Sequence, residues 1–256
     1  MVRLRDLDLA RHLADPALKP HFVTPMFDLV APRYDDFTRV FSFGMDAHWK
    51  AELVRLVLQH SERCDSALDA ACGTGDLALA VALARPNAAV TAIDASREML
   101  AFARMRVEAA TAQDSGVASR VSCQEGDLGA LPAADASVDV VTAGYAFRNA
   151  AALAPAVAEA ARVTRPGGVI AVLDFYRPAF GPWRLAFLSY LRAAGNVFGW
   201  WWHGEPVAYG YIAHSIQAHV SSDDFSELLE RSGFDVLECR RFLLGGVAIH
   251  VARRRA

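Results

Sequence analysis

Residues 68–82 read LDAACGTGDLALAVA. A glycine turn here joins a short apolar run to an alanine-leucine segment. Gly73 and Gly75 let the backbone turn tightly, at the end of a strand where open α/β sheets bind their ligands. The flanking sequence repeats the pattern. SALDAA reads as a strand and DLALAVALARP as a helix; AVTAID and SREMLAFARMRVEAATA follow as strand and helix. RVSCQEGD and SVDVVTAGYA read as strands, LAPAVAEAARVTRPG as a helix and GVIAVLDF as a strand. Such alternation predicts an α/β fold, a mainly parallel sheet covered on both faces.

Either side of this core the rhythm differs. Residues 1–62 read as a helical segment; within them DAHWKAELVRLVLQH puts Trp49, Leu53, Leu56 and Val57 on one face. Residues 177–218 are aromatic-rich and helical, a cap on the 63–256 core. SSDDFSELLERSGFDVLECRRF then returns to helix and strand, with Ser222 expected as N-cap and Gly233 as helix stop. LGGVAIHVARR is a last strand. The two final strands are only a few residues apart, too close for a parallel crossover, so the sheet should end in an antiparallel hairpin.

Composition narrows the function. The chain has 256 residues, 54% of them hydrophobic, and a formal charge of −3, which gives no electrostatic reason to expect nucleic acid. Cys64, Cys72, Cys123 and Cys239 form no CxxC pair, so no metal site is expected and reduced, structural thiols are. MVRLRDLDLARHLADPALKP carries acids and lacks an apolar core, unlike a signal or transit peptide. The most membrane-like stretch, WRLAFLSYLRAAGNVFGWWW, is interrupted by Arg184 and Arg192. The expected location is cytoplasmic, with the inner face of a membrane left open.

Which ligand lies on the turn is decided by its surroundings. Asp94 ends the second strand about 20 residues on, where a carboxylate accepts both hydroxyls of a ribose. That suits NAD and S-adenosylmethionine alike. Asp76, however, would open the next helix, and a pyrophosphate prefers that helix N-terminus free of a competing anion. Asp127, in EGDLGALP, follows the third strand, where it could take an adenine amino group. Pro166-Gly167-Gly168 feeds the fifth strand. In this order the features favour a sulfonium cofactor over a dinucleotide.

The chain resembles the class I S-adenosylmethionine-dependent methyltransferases, with a Rossmann-like sheet. More narrowly it resembles the ubiquinone/menaquinone biosynthesis C-methyltransferases. The resemblance rests on MFDLVAPRYDDFTRVFSFGMDAHWK (26–50), LDAACGTGD (68–76), GDLGALPAADASVDVVTAGYAFRN (126–149), VTRPGGVIAVLDFYRP (163–178), YIAHSIQAH (211–219) and GGVAIH (245–250). It implies methylation of a ring carbon of a prenylated hydroquinone with S-adenosylmethionine as cofactor. It implies cofactor contacts from Thr74, Asp94, Asp127 and Leu128, and from Ala71, Gly73, Gly75, Ala95 and Met99 of the same motifs. Gly144, where the family often has serine, would offer backbone only. Tyr34 would close over the methionine end, and Arg148 and Asn149 of FRN would face the substrate.

The chemistry agrees. The sulfonium is already a strong electrophile, so the protein must align the reactants and make the ring carbon nucleophilic. Charge builds on a phenol oxygen, and an arginine that stays charged suits that oxygen better than it suits the role of base. Arg148 and Asn149 are therefore expected at the oxyanion. For the base, His48 and His214 stand ahead of His219 and His250, although Asp46 fills the position where the family often has histidine. DFY at 174–176 and GWWWHGEPVAYGY depart from the family pattern, and Trp200, Trp201 and Trp202 cannot all share one helical face. At least one ring should be exposed, at a membrane interface, a partner surface or the pocket mouth. A different hydrophobic acceptor, such as an isoprenoid or specialised aromatic, and a non-catalytic cofactor-binding scaffold remain as alternatives. Oligomeric state stays open.

Overall fold

The structure, a computed structural model, describes residues 9–256; the helical expectation for residues 1–8 lies outside the described residues. Helices α1 (Leu9–Ala14), α2 (Lys19–Val30), α3 (Tyr34–Phe41) and α4 (Met45–His60) lead in. The alternating core follows as β1 (Ser66–Ala70), α5 (Asp76–Ala84), β2 (Ala89–Asp94), α6 (Arg97–Ala110), the short α7 (Val117–Arg120), β3 (Val121–Glu125), β4 (Val138–Gly144), α8 (Leu153–Val163) and β5 (Thr164–Phe175). The chain ends with α9 (Gly181–His203), α10 (Val207–Ala218), α11 (Ser222–Arg231), β6 (Phe234–Phe242) and β7 (Val247–Arg254).

The sheet order is β3-β2-β1-β4-β5-β7-β6. Strands β1 to β5 pair in parallel, and β7 lies antiparallel to both β5 and β6. The expected hairpin is therefore present. The central strands are buried on both faces and mostly apolar, with Asp69 of β1 and Asp139 and Thr142 of β4 as buried polar exceptions. One face packs on α4, α5 and α6, the other on α8 and α11. A third cluster joins α2, α3, α9 and α10, with Phe37 stacked on Tyr209 at 3.7 Å.

Two boundaries differ from the sequence reading. β5 begins at Thr164, ahead of the Pro-Gly-Gly turn, because Thr164 pairs with Val138 before a register shift between Val138 and Val140. Gly167 takes φ +78° there, so the proline and glycines form an irregularity within the strand instead of ending a helix. The N-cap of α11 is Ser221, which forms a capping box with Asp224; Ser222 is already helical and buried.

The cap depends on close backbone approach. A Cβ on Gly195 of α9 would lie 2.6 Å from the Tyr209 carbonyl oxygen of α10. Gly195→Ala should force the two helices apart and cost about 1–3 kcal/mol, as overpacking does. Thermal melting should show Tm falling by several degrees, whereas Gly181→Ala, where the added atom meets nothing within 4 Å, should leave it near normal.

Candidate active site

The glycine turn is strained by design of the sequence around it. Ala71 (φ +54°), Gly73 (φ +56°) and Gly75 (φ +83°) all lie in the left-handed region. Cys72 N–H donates to the Ile93 carbonyl at 2.8 Å, tying the turn to β2. Asp94, at the end of β2, accepts from Gly73 N at 2.8 Å through one oxygen and from Ser96 N at 2.8 Å through the other. Each oxygen keeps a lone pair for a ligand. Burial raises its pKa, and these backbone donors partly offset the rise.

A cleft of about 970 Å³, mouth included, opens over the carboxyl ends of β1, β2 and β4. Ala71, Gly73 and Thr74 line it from the turn; Asp94, Ala95 and Met99 from β2 and α6; Asp127 and Leu128 from beyond β3; Gly144 from β4. Tyr34 and Phe27 cover it from the N-terminal helices, and Asn149 reaches its far end. Gly75 does not line the cleft. A Cβ there would stand 3.0 Å from the Ala103 Cβ, so this glycine serves close packing of the turn on α6.

A second cavity, about 540 Å³ with its mouth, adjoins the first. Phe27, Tyr34 and Tyr145 are walls of both. Its other walls include Met26, Phe37, Phe41, Phe175 and Tyr209, and among the described residues lining it Arg148 is the one charged group. Arg148 sits in a 3₁₀ turn, Phe147–Asn149, just past β4. Its Nε lies 3.3 Å from Asp174 Oδ1 without hydrogen-bond alignment, and its Nη1 donates to Asn149 Oδ1 at 2.8 Å. Tyr211 donates to the same amide oxygen at 2.8 Å. Asp174 is fully buried; that burial raises its pKa to about 6 against the pull of Arg148. Lys19, bonded to the Arg148 carbonyl at 2.9 Å, is lowered to about 8 by burial and then by Arg148.

Sequence reasoning missed a charged network between these cavities and α4. Lys50 bridges Asp46 at 2.8 Å and Asp76 at 2.7 Å. Asp76 and Asp35 both meet Arg106, and Thr74 donates to Asp35 at 2.8 Å. Tyr145, at φ +58°, donates to Asp46 at 2.6 Å. Thus Asp46 is an ion-paired strut between Lys50 and Tyr145. Asp69, buried beneath the cleft, accepts from Thr142 at 2.7 Å and from Ala78 N at 3.0 Å; burial raises it to about 7. A lone carboxylate inside an apolar strand was its visible signal. The i,i+4 spacing of Asp46 and Lys50 was visible too.

The histidine candidates are corrected. His48 is exposed on the outer face of α4 and lines neither cavity, since Trp49 beside it takes the inward position. His214 is exposed on α10 and lines neither. His219 and His250 are buried around Tyr176, at ring distances of 5.5 and 5.1 Å. Burial chiefly lowers His219 to about 3, helped by Arg148, and lowers His250 to about 4. Both are neutral in the fold where the unfolded chain would hold protons. Their contribution is complete above pH 6.5 and declines as pH falls. Relative to His219→Phe, the native chain should lose about 2 kcal/mol between pH 7 and pH 5, read by denaturant melts at both pH values.

The sheet order, the strained glycine turn and a diol-sized carboxylate at the end of β2 together define a class I methyltransferase. Solved structures agree on the fold: a chain of the complex between the Haloferax volcanii Trm112 methyltransferase activator and a methyltransferase superposes with TM-score 0.60, at 20% identity, over 90% of this chain and 98% of that one. The model of the ubiE/COQ5 methyltransferase family matches residues 16–254, and the chain belongs to that family. The demethylmenaquinone methyltransferase of Thermus thermophilus is 35% identical across 90% of this chain and all of its own length. That of a Parafrankia species is 38% identical across 92% of this chain and 95% of its own. The chain is an S-adenosylmethionine-dependent enzyme.

Proposed function

We propose that the chain methylates a ring carbon of a prenylated hydroquinone, demethylmenaquinol foremost. The observation that carries this reading is the pair of cavities with a shared tyrosine wall, one lined by polar turn residues and one apolar with a single guanidinium. The names of the similar relatives support it. The described part of the N-terminal segment, residues 9–62, and the 177–218 cap close one catalytic domain over the 63–256 core.

When bound, S-adenosylmethionine supplies an electrophilic methyl group. Asp94 holds its ribose and Asp127 its adenine amino group. Gly73, Thr74 and Gly144 bring backbone close, with Ala71, Ala95, Met99 and Leu128 packed around it. Phe27 and Tyr34 exclude water from above. In the second cavity Arg148 stabilises the phenolate form of the acceptor, favouring its ionisation and so raising electron density on the ring. Asn149 fixes the guanidinium by accepting from it, and Tyr211 fixes Asn149 in turn. Arg148 is thus a charge partner and not the base. The acceptor is lipid-soluble, so the reaction belongs at the cytoplasmic face of the membrane; no helix of the described residues is long and apolar enough to cross one.

The test offers methyl-labelled S-adenosylmethionine with demethylmenaquinol, a demethoxy-type benzoquinol and farnesyl diphosphate in parallel. Label in demethylmenaquinol is expected. Label in the isoprenoid alone would transfer the assignment to another hydrophobic acceptor, and label in none, with cofactor binding intact, would leave a scaffold.

A further inference from the structure

We infer that the outer face of α9 docks on a bilayer bearing anionic phosphate headgroups. The helix carries an outward apolar stripe. Tyr190, Val197 and Trp201 follow one another at seven- and four-residue spacing, and Trp200 lies beside them. Val197 is 60% exposed and Trp200 and Trp201 are 68% each, whereas Trp202 turns inward against Phe198 at 5.0 Å. Phe43, 74% exposed, extends the stripe by stacking on Tyr190 at 5.9 Å. An exposed patch of this kind, rich in tryptophan, fits the interfacial layer of a membrane, where an amphipathic ring has one wet side and one apolar side.

Charge selects the lipid. α9 contains no Asp or Glu. Along its flank a groove is lined by Arg184, Ser189, Arg192, Asn196 and Gln217. Among the described residues neither Arg184 nor Arg192 has an acidic partner, although most arginines of this chain, including Arg55, Arg106, Arg162 and Arg240, are ion-paired. Two unpaired guanidiniums with neutral donors beside them match a phosphate diester, and Leu185, 71% exposed, lines the same groove. Position fits as well. Phe41 and Ser42 wall the apolar cavity while Phe43, the next residue, faces out, and the Tyr190 hydroxyl contacts the Phe41 carbonyl at 3.4 Å. The stripe therefore lies at the rim through which an apolar tail would leave that cavity. Surface binding needs no acceptor, so this inference and the quinol reading can fail separately.

The experiment is co-sedimentation of the full chain with phosphatidylcholine vesicles, with and without about one third phosphatidylglycerol, alongside tryptophan emission. Binding to the anionic vesicles with a blue-shifted emission is expected. Trp200→Ser with Trp201→Ser should weaken partitioning at least tenfold. Arg184→Gln with Arg192→Gln should remove the preference for anionic vesicles, by roughly fivefold per guanidinium. Both variants should bind S-adenosylmethionine normally by calorimetry, showing that they fold. A native chain that stays in the supernatant with both vesicle types overturns the inference, as does unchanged binding by the tryptophan variant. So would a doubled mass in light scattering, abolished by the tryptophan variant and without vesicle binding, which would assign the face to a second copy.

Discussion

Asp94→Ala should weaken S-adenosylmethionine binding about a hundredfold, measured by titration calorimetry. Each charge-assisted hydrogen bond to a ribose hydroxyl contributes about 1.5–3 kcal/mol, and two are proposed. A loss near 3 kcal/mol corresponds to about two orders of magnitude in Kd. The same carboxylate also receives Gly73 N and Ser96 N, so the substitution loosens the turn that carries the rest of the site. A melting curve separates the two effects. Lower Tm with unchanged cofactor affinity would reduce Asp94 to a brace for the turn. Since burial raises its pKa, affinity should also begin to fall at a higher pH than an ordinary carboxylate would give, as acid removes its charge.

Arg148→Ala should slow methyl transfer by about a hundredfold to a thousandfold while leaving cofactor affinity near normal. The magnitude is that of removing one preorganised donor from a developing oxyanion. The affinity should hold because Arg148 lines the second cavity and not the first. The variant carries a second cost. It strands the fully buried Asp174, and breaking a buried pair from one side costs about 3–5 kcal/mol. Arg148→Met combined with Asp174→Asn removes both charges and should recover most of that stability. If turnover then stays low, the guanidinium acts on the acceptor. Turnover restored along with stability would show that Arg148 only holds the loop after β4.

The core was legible because its signals are local. Gly73, Asp94 and Asp127 stand at the ends of strands whose apolar runs and spacing give the sheet away. The antiparallel end followed from a connection too short for a crossover. What stayed hidden is contact between distant residues. Tyr145 and Asp46 are 99 positions apart, and nothing in either segment announces that they touch. His48 drew attention because its type suits base chemistry, but helical phase turns it outward while Trp49 turns in. The arginine was expected to face substrate; its buried partner Asp174 was visible only as a departure in DFY. At least one ring of Trp200, Trp201 and Trp202 was expected to be exposed, since three consecutive helical residues cannot share a face, and Trp200 and Trp201 are exposed.

Phe27, Tyr34 and Tyr145 are party walls, and a party wall carries messages both ways. A ring that tilts to admit one occupant changes the room left for the other. Whatever free energy the first occupant spends or releases in setting those three rings is felt equally by the second, in either order of arrival. The two cavities are thereby coupled through their common wall, in addition to any direct contact between their occupants. With one side vacant, the same three rings are left unset for the occupant of the other.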